Sequence, residues 1–227
     1  YTGNGSTNAI TGVGFQPDFT WIKSRTEGYG HSLFDAVRGV TKAIASEGTG
    51  AEYTFSTGLT AFGSDGFTLG SGTVVNNNSQ NHASWNWKAN GAGSANTDGS
   101  ISSTVSASAT SGFSVVTYTG NNTNGATVGH GLGVIPSMVI VKKLSATRDW
   151  MVKHKDLTSN HNISLNTTAA QFNSPVNGWI SNLTSNQTIS FSIGSSDIDN
   201  VNQGAQQYVA YCFADVQGYS KFGSYTG

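Results

Sequence analysis

The sequence predicts an all-β chain of two tandem antiparallel β-sandwich modules, jelly-roll or immunoglobulin-like, with at most one short helix. Three observations lead there. Charged residues make up only 10% of the 227 and glycine accounts for 29, a balance that favours short strands joined by many polar turns. Tyr-Thr-Gly occurs at Tyr1-Thr2-Gly3, Tyr118-Thr119-Gly120 and Tyr225-Thr226-Gly227, which marks an internal repeat. The blocks after each copy are short, apolar or alternating, and bounded by Gly, Asn, Asp or Pro, as antiparallel strands are. Aromatic residues, 11% of the chain, supply core area that disordered chains lack.

Taken in order, Gly14-Phe15-Gln16-Pro17-Asp18-Phe19-Thr20-Trp21-Ile22-Lys23 matches Gly133-Val134-Ile135-Pro136-Ser137-Met138-Val139-Ile140-Val141-Lys142. The last four residues of each block read as an inner strand entered through a Pro-fixed bend, because Pro cannot donate to a ladder. In Ser32 to Ala45, Leu33, Val37, Val40 and Ile44 fall at helical spacing with Ser32 placed to cap. The repeat partner of this stretch, Asp149 to His154, reads as a strand instead, so a short helix and a strand both stand. Ala51-Glu52-Tyr53 falls on Ala170-Gln171-Phe172 without a gap, and Phe67-Thr68-Leu69-Gly70 is set on Phe191-Ser192-Ile193-Gly194 after an insertion. Ala83 to Ala89 is set on Val209 to Asp215, where Trp85 and Trp87, like Tyr211 and Phe213, alternate with their neighbours and turn one aromatic face inward.

Asn90 to Ser111 is nearly free of large apolar residues and reads as a Gly/Ser/Thr-rich linker. The predicted organisation is therefore a first module at 1–89, a linker at 90–111 and a homologous second module at 112–227. Phe113 to Tyr118 is a predicted strand leading into the second Tyr-Thr-Gly, as Lys221 to Tyr225 leads into the third. The first copy has no such leading strand. Either residues lie upstream, or the terminal strand of one subunit completes the first sheet of the next.

Net charge is −1 with Lys and Arg scattered singly, so no basic stripe is available to neutralise a run of phosphates, and nucleic acid is not an expected partner. No apolar run approaches the roughly 20 residues needed to span a bilayer, so no membrane insertion is expected. The sequence carries no Gly-x-Ser-x-Gly elbow, phosphate-binding Gly-x-x-x-x-Gly-Lys or multi-ligand metal run. None of the twelve acids recurs at matched positions in both copies, against the paired carboxylates of a glycoside hydrolase. The expectation is a non-enzyme without a cofactor. The single cysteine, Cys212, excludes an internal disulfide and reads as a small core residue. Asp197 and Asp199, in Asp197-Ile198-Asp199-Asn200, offer oxygens at alternating positions and are candidate calcium ligands, or else part of a polar turn. Tyr29, Trp150 and Trp179 are candidates for stacking on sugar rings. Core packing is the competing role for the two tryptophans, whereas the glycines beside Tyr29 point to a loop tip.

Phe113-Ser114-Val115-Val116-Thr117-Tyr118-Thr119-Gly120-Asn121 followed by Val128-Gly129-His130-Gly131-Leu132-Gly133-Val134-Ile135-Pro136 resembles a β module repeated in large virion proteins of tailed bacteriophages, especially marine ones. Ser32-Leu33-Phe34-Asp35-Ala36-Val37-Arg38-Gly39, Asp65-Gly66-Phe67-Thr68-Leu69-Gly70 and Trp85-Asn86-Trp87-Lys88 share that resemblance, which covers nearly the whole chain. It implies a virion or extracellular location and brings no catalytic residues with it. The expected function is a structural module of a fibre, tail appendage or capsid-associated protein, partnered by its own copies or other virion proteins. The alternative is a carbohydrate-binding adhesin that recognises host surface polysaccharide, and a surface polysaccharide hydrolase is the third reading.

Overall fold

A computed structural model of the chain describes residues 1–173, 178–193 and 200–226. Eighteen strands are present among them. The first module holds β1 (Asn8–Ile10), β2 (Phe19–Ser24), β3 (His31–Asp35), β4 (Lys42–Ala43), β5 (Tyr53–Thr54), β6 (Leu59–Gly63), β7 (Gly66–Leu69) and β8 (His82–Trp87). Then come β9 (Ser94–Asn96), β10 (Ser103–Ser108), β11 (Phe113–Thr119), β12 (Thr127–Gly129), β13 (Met138–Lys143), β14 (Met151–His154), β15 (Ile163–Ser164), β16 (Trp179–Ile180), β17 (Thr188–Ser192) and β18 (Gln207–Phe213). Among the described residues helix is confined to one turn, α1 (Thr73–Asn76), so the all-β expectation holds.

In the first module a sheet of order β3-β2-β8 faces one of order β1-β7-β6. Ile22, Phe34, Leu59, Phe67, Leu69 and Val75 fill the space between them. In the second, a seven-stranded sheet of order β15-β14-β13-β18-β11-β10-β9 faces β12-β17-β16, with Val116, Tyr118, Val139, Ile189, Phe191 and Tyr208 among the residues between. A third core joins the modules, because alternation gives each inner sheet a second apolar face. Phe19 and Trp87 from β2 and β8 pack on Phe113, Tyr211 and Phe213 of the seven-stranded sheet. Phe19 lies 4.3 Å from the Tyr211 ring and 5.7 Å from Phe113, centroid to centroid. The molecule is thus four sheets deep.

The repeat is visible in the pairing. Leu33 bridges Ile44 as Val152 pairs with Ile163, and Ala43 pairs with Tyr53 as Asn162 bridges Phe172. Of the two readings of Ser32 to Ala45 the strand is the one formed: β3 occupies 31–35, buried on both faces between cores, and the apolar spacing reflects strand, turn and strand. One sequence expectation needs correction. The expected linker at 90–111 contains β9 and β10, and β10 pairs with β11 from Ser103↔Tyr118 to Ser108↔Phe113. Its small residues misled because β10 lies near the edge of the sheet and needs little bulk; Gly112, at φ 65°, closes the turn into β11. A smaller slip concerns Phe67 to Gly70. Leu69 pairs with Leu59 where Phe191 pairs with Ile180, so Phe67 and Leu69 stand at the places of Ile189 and Phe191, two residues from the predicted match. A slip of two keeps every side chain on its own face, so periodicity cannot detect it.

Candidate functional site

The Tyr-Thr-Gly motif is a fastening. Tyr1 exchanges backbone hydrogen bonds with His82, and Thr2 bridges Asn81. Tyr118 and Thr119 pair with Tyr208 and Gln207 in the same way. The Tyr1 hydroxyl donates to the Val75 carbonyl at 2.6 Å and the Tyr118 hydroxyl to that of Val201 at 2.7 Å. Below each sits a fully buried asparagine. Asn76 accepts from the Asn4 N–H at 3.0 Å and donates to the Ser6 and Gly70 carbonyls at 2.6 and 2.8 Å. Asn202 accepts from the Asn121 N–H at 3.0 Å and donates to the Thr123 carbonyl at 2.9 Å. Both side chains are fully buried, and backbone groups satisfy their amides. The motif's glycine is needed for close approach, since a Cβ at Gly3 or Gly120 would collide with the Asn77 or Gln203 carbonyl. Sequence reading missed the two asparagines. The available signal was Val75-Asn76 and Val201-Asn202, at the same separation as the aligned strands after them.

At the junction, Asp35, Arg38, Glu52 and Tyr211 form a buried polar cluster. Arg38 Nε meets Asp35 at 2.5 Å, its Nη1 meets Glu52 at 3.0 Å and its Nη2 donates to the Leu33 carbonyl at 3.1 Å. The Tyr211 hydroxyl donates to Asp35 at 2.8 Å, tying the first module's hairpin to β18. Burial drives the Tyr211 phenol well above its ordinary pKa. Burial alone would lower Arg38, but Asp35, Tyr211 and Glu52 together hold it higher than usual. Arg38 and Glu52 also border a cleft of about 470 Å³ beside Thr104, Thr117 and Gln207. Arg38 reaches this cleft with its donors already committed, so the cluster acts as a brace between modules.

Lys142 is buried and donates to the carbonyls of Thr49, Lys143 and Arg148 at 3.1, 3.0 and 3.0 Å. Lys153 likewise serves the Thr158 and His161 carbonyls. Cys212 is buried, its thiol pushed up to about 12 by burial, which suits a packing residue and not a nucleophile.

The predicted sugar-stacking residues are not brought together. Trp150 is fully buried in the junction core with Nε1 donating to the Ala45 carbonyl at 3.0 Å, which corrects its nomination as a glycan contact. Trp179 is half-buried in β16 and packs against the second module's core. Tyr29 is half-buried in the β2–β3 loop. Asp197 and Asp199 lie outside the described residues, among which no group of three or more His, Cys, Asp or Glu is placed to hold a metal ion.

One backbone surface is left open. β2 covers one edge of β8, and on the other, among the described residues, Tyr1 pairs with His82, Thr2 with Asn81 and the Gly3 N–H donates to the Gln80 carbonyl. Because His82 turns its N–H and C=O outward, the alternation of a ladder turns those of Ser84 and Asn86 outward too. On this edge stands Trp85, 50% exposed, the one tryptophan with an open ring among the described residues.

The fold defines a protein of stacked, repeated β-sandwich modules in which Asn76, Asn202, Lys142 and Lys153 bind backbone groups of the chain itself. Across residues 1–227 the chain matches the model of a family described as a domain of unknown function, DUF7483, and it belongs to that family. No curated protein and no solved structure matches it.

Proposed function

We propose that the chain is a non-enzymatic structural module of a bacteriophage virion protein, part of a fibre, tail appendage or capsid-associated assembly. The observation that carries this reading is the use made of the polar residues. Asn76, Asn202, Lys142, Lys153 and Arg38 all bind backbone or neighbouring side chains, and each adds rigidity to a repeated stack of sheets. The sequence resemblance supplies the virion context. Mass spectrometry of gradient-purified particles from a phage that encodes the chain will detect it as a particle component. Its presence in infected cells together with its absence from purified particles would overturn the proposal.

The adhesin alternative rests on Tyr29, the one nominated aromatic on a loop that is not packed into a core. A glycan array probed with the wild type and Tyr29→Ala tests it: the reading requires binding that the variant loses, and no binding by the wild type removes it.

A further inference from the structure

We propose that the cleft at the module junction is a binding site for a neutral saccharide, with Thr104, Thr117 and Gln207 as its floor and Glu52 as a fixed acceptor in its wall. Its Arg38 side follows the end of β3, whereas Tyr29 precedes the start of that strand, so the site is separate from the loop aromatic and rests on neither reading above.

The junction face of the seven-stranded sheet changes character along its strands. Phe113 and Val115 of β11, and Val209 and Tyr211 of β18, belong to the junction core. Strand alternation turns Thr117, Thr119 and Gln207 to the same face. On β10, Val105 belongs to the second module's own core, so Thr104 faces the junction. Thr104 stands opposite Thr117, and Thr119 opposite Gln207. Beyond the junction core, the apolar surface therefore gives way to hydroxyls and an amide. These residues line the cleft of about 470 Å³, a volume within the range of roughly 300–1,000 Å³ usual for small-molecule sites.

The polar atoms of this floor are uncommitted. Among the described residues, the side chains of Thr104, Thr117, Thr119 and Gln207 make no hydrogen bond within the chain, unlike those of Asn76, Asn202 and Lys142. Thr104 and Thr117 are half-buried, and the ladder fixes their spacing. A threonine hydroxyl and a glutamine amide each both donate and accept. The first module supplies the facing carboxylate. Glu52 is anchored by its N–H on the Leu144 carbonyl at 2.9 Å, and one of its oxygens takes Arg38 Nη1 at 3.0 Å. Its other oxygen lies 3.9 Å from Lys42 Nζ, beyond hydrogen-bonding distance, and stays available as an acceptor. Arg38 thus holds that acceptor in place before any ligand arrives, which lowers the cost of binding.

Charge and lining select the ligand class. Asp35 and Glu52 balance Arg38 and Lys42, so the cluster beside the cleft favours neither an anion nor a cation. An apolar ligand would leave the floor's hydroxyls and the carboxylate unmet. Val37 and Leu144 add a small apolar wall. A sugar ring, with hydroxyls on its rim and C–H groups on its faces, meets both surfaces: its hydroxyls donate to Glu52 and exchange hydrogen bonds with Thr104, Thr117 and Gln207.

The experiment titrates the isotope-labelled full chain with the methyl glycosides of glucose, galactose and mannose and follows the amide chemical shifts. The expected result is a saturable shift with at least one glycoside, centred on Thr104, Thr117 and Gln207. Thr104→Val and Thr117→Val keep the side-chain shape and lose the hydroxyl, and each is expected to weaken binding about 3- to 10-fold. Thr117→Trp fills the cleft and is expected to abolish binding while the rest of its spectrum stays that of the wild type. No saturable shift with any of the glycosides overturns the proposal, and so do shifts centred elsewhere. Undiminished affinity in both valine variants overturns it as well, a readout that stands even where Thr117→Trp fails to fold. Tyr29→Ala is expected to leave the titration unchanged, so this site and the loop reading fail separately, and neither outcome bears on whether the chain is found in virions.

Discussion

Lys142 shows how a single residue of this molecule couples structure to solvent. Its strand position is dictated by the apolar block it closes, yet its ammonium ends in the interior on three carbonyls. Burial lowers its pKa from the ordinary 10.5 to about 8, the three acceptors notwithstanding. The folded state therefore releases this proton at a lower pH than the unfolded chain does. Between about pH 8 and 10.5 the unfolded state binds more protons, so the contribution of Lys142 to stability increases with pH across that window and is lost as the pH falls through 8. Urea unfolding of the wild type and of Lys142→Met at intervals from pH 7.5 to 10.5 checks this. The difference in unfolding free energy is expected to move in favour of the wild type as the pH rises, and a difference that is flat or moves the other way refutes it.

Among the elements, the two asparagine fastenings carry the most consequence. Each binds the Tyr-Thr-Gly segment to the loop before the last strand of its module, and each amide serves backbone groups from a fully buried side chain. Removing one leaves buried N–H and C=O groups unmet, which costs about 1–3 kcal/mol. Asn76→Ala and Asn202→Ala are both expected to lower stability by roughly that amount in urea titrations. A loss at one site only would show that the two fastenings are not equivalent. The same scale explains what reading from sequence missed. Ser103 to Ser108 reads as a linker because its Ser, Thr and Ala carry little bulk, although β10 pairs with β11 along its whole length.

For the whole molecule, the junction core decides whether two modules behave as two domains. Phe19 stacks on Tyr211 and Phe113, and the Arg38 cluster fastens the same hairpin from the side, so unfolding either module exposes the junction face of the other's inner sheet. A single cooperative transition is expected in calorimetry. Phe19→Ala is expected to lower stability by about 3–5 kcal/mol, the cost of a large aromatic cavity in a core. Two separate transitions in the wild type would refute the coupling.

The sequence by itself determined the all-β class, the two copies of one module and the strands β2, β11, β13 and β18, because local alternation and a repeated motif are properties of neighbouring residues. It also marked Tyr118-Thr119-Gly120 as a repeated motif, though not as a fastening. Only the tertiary structure decided that Trp150 is buried at the junction, that Asn76 and Asn202 are the partners of the motif, and that β8 keeps an open edge beside Trp85. Those outcomes depend on which face of one sheet meets another and on contacts between residues some 70 to 100 positions apart, as between Asn76 and Asn4 or Trp150 and Ala45. Periodicity records that a residue has an apolar face. It does not record what that face meets.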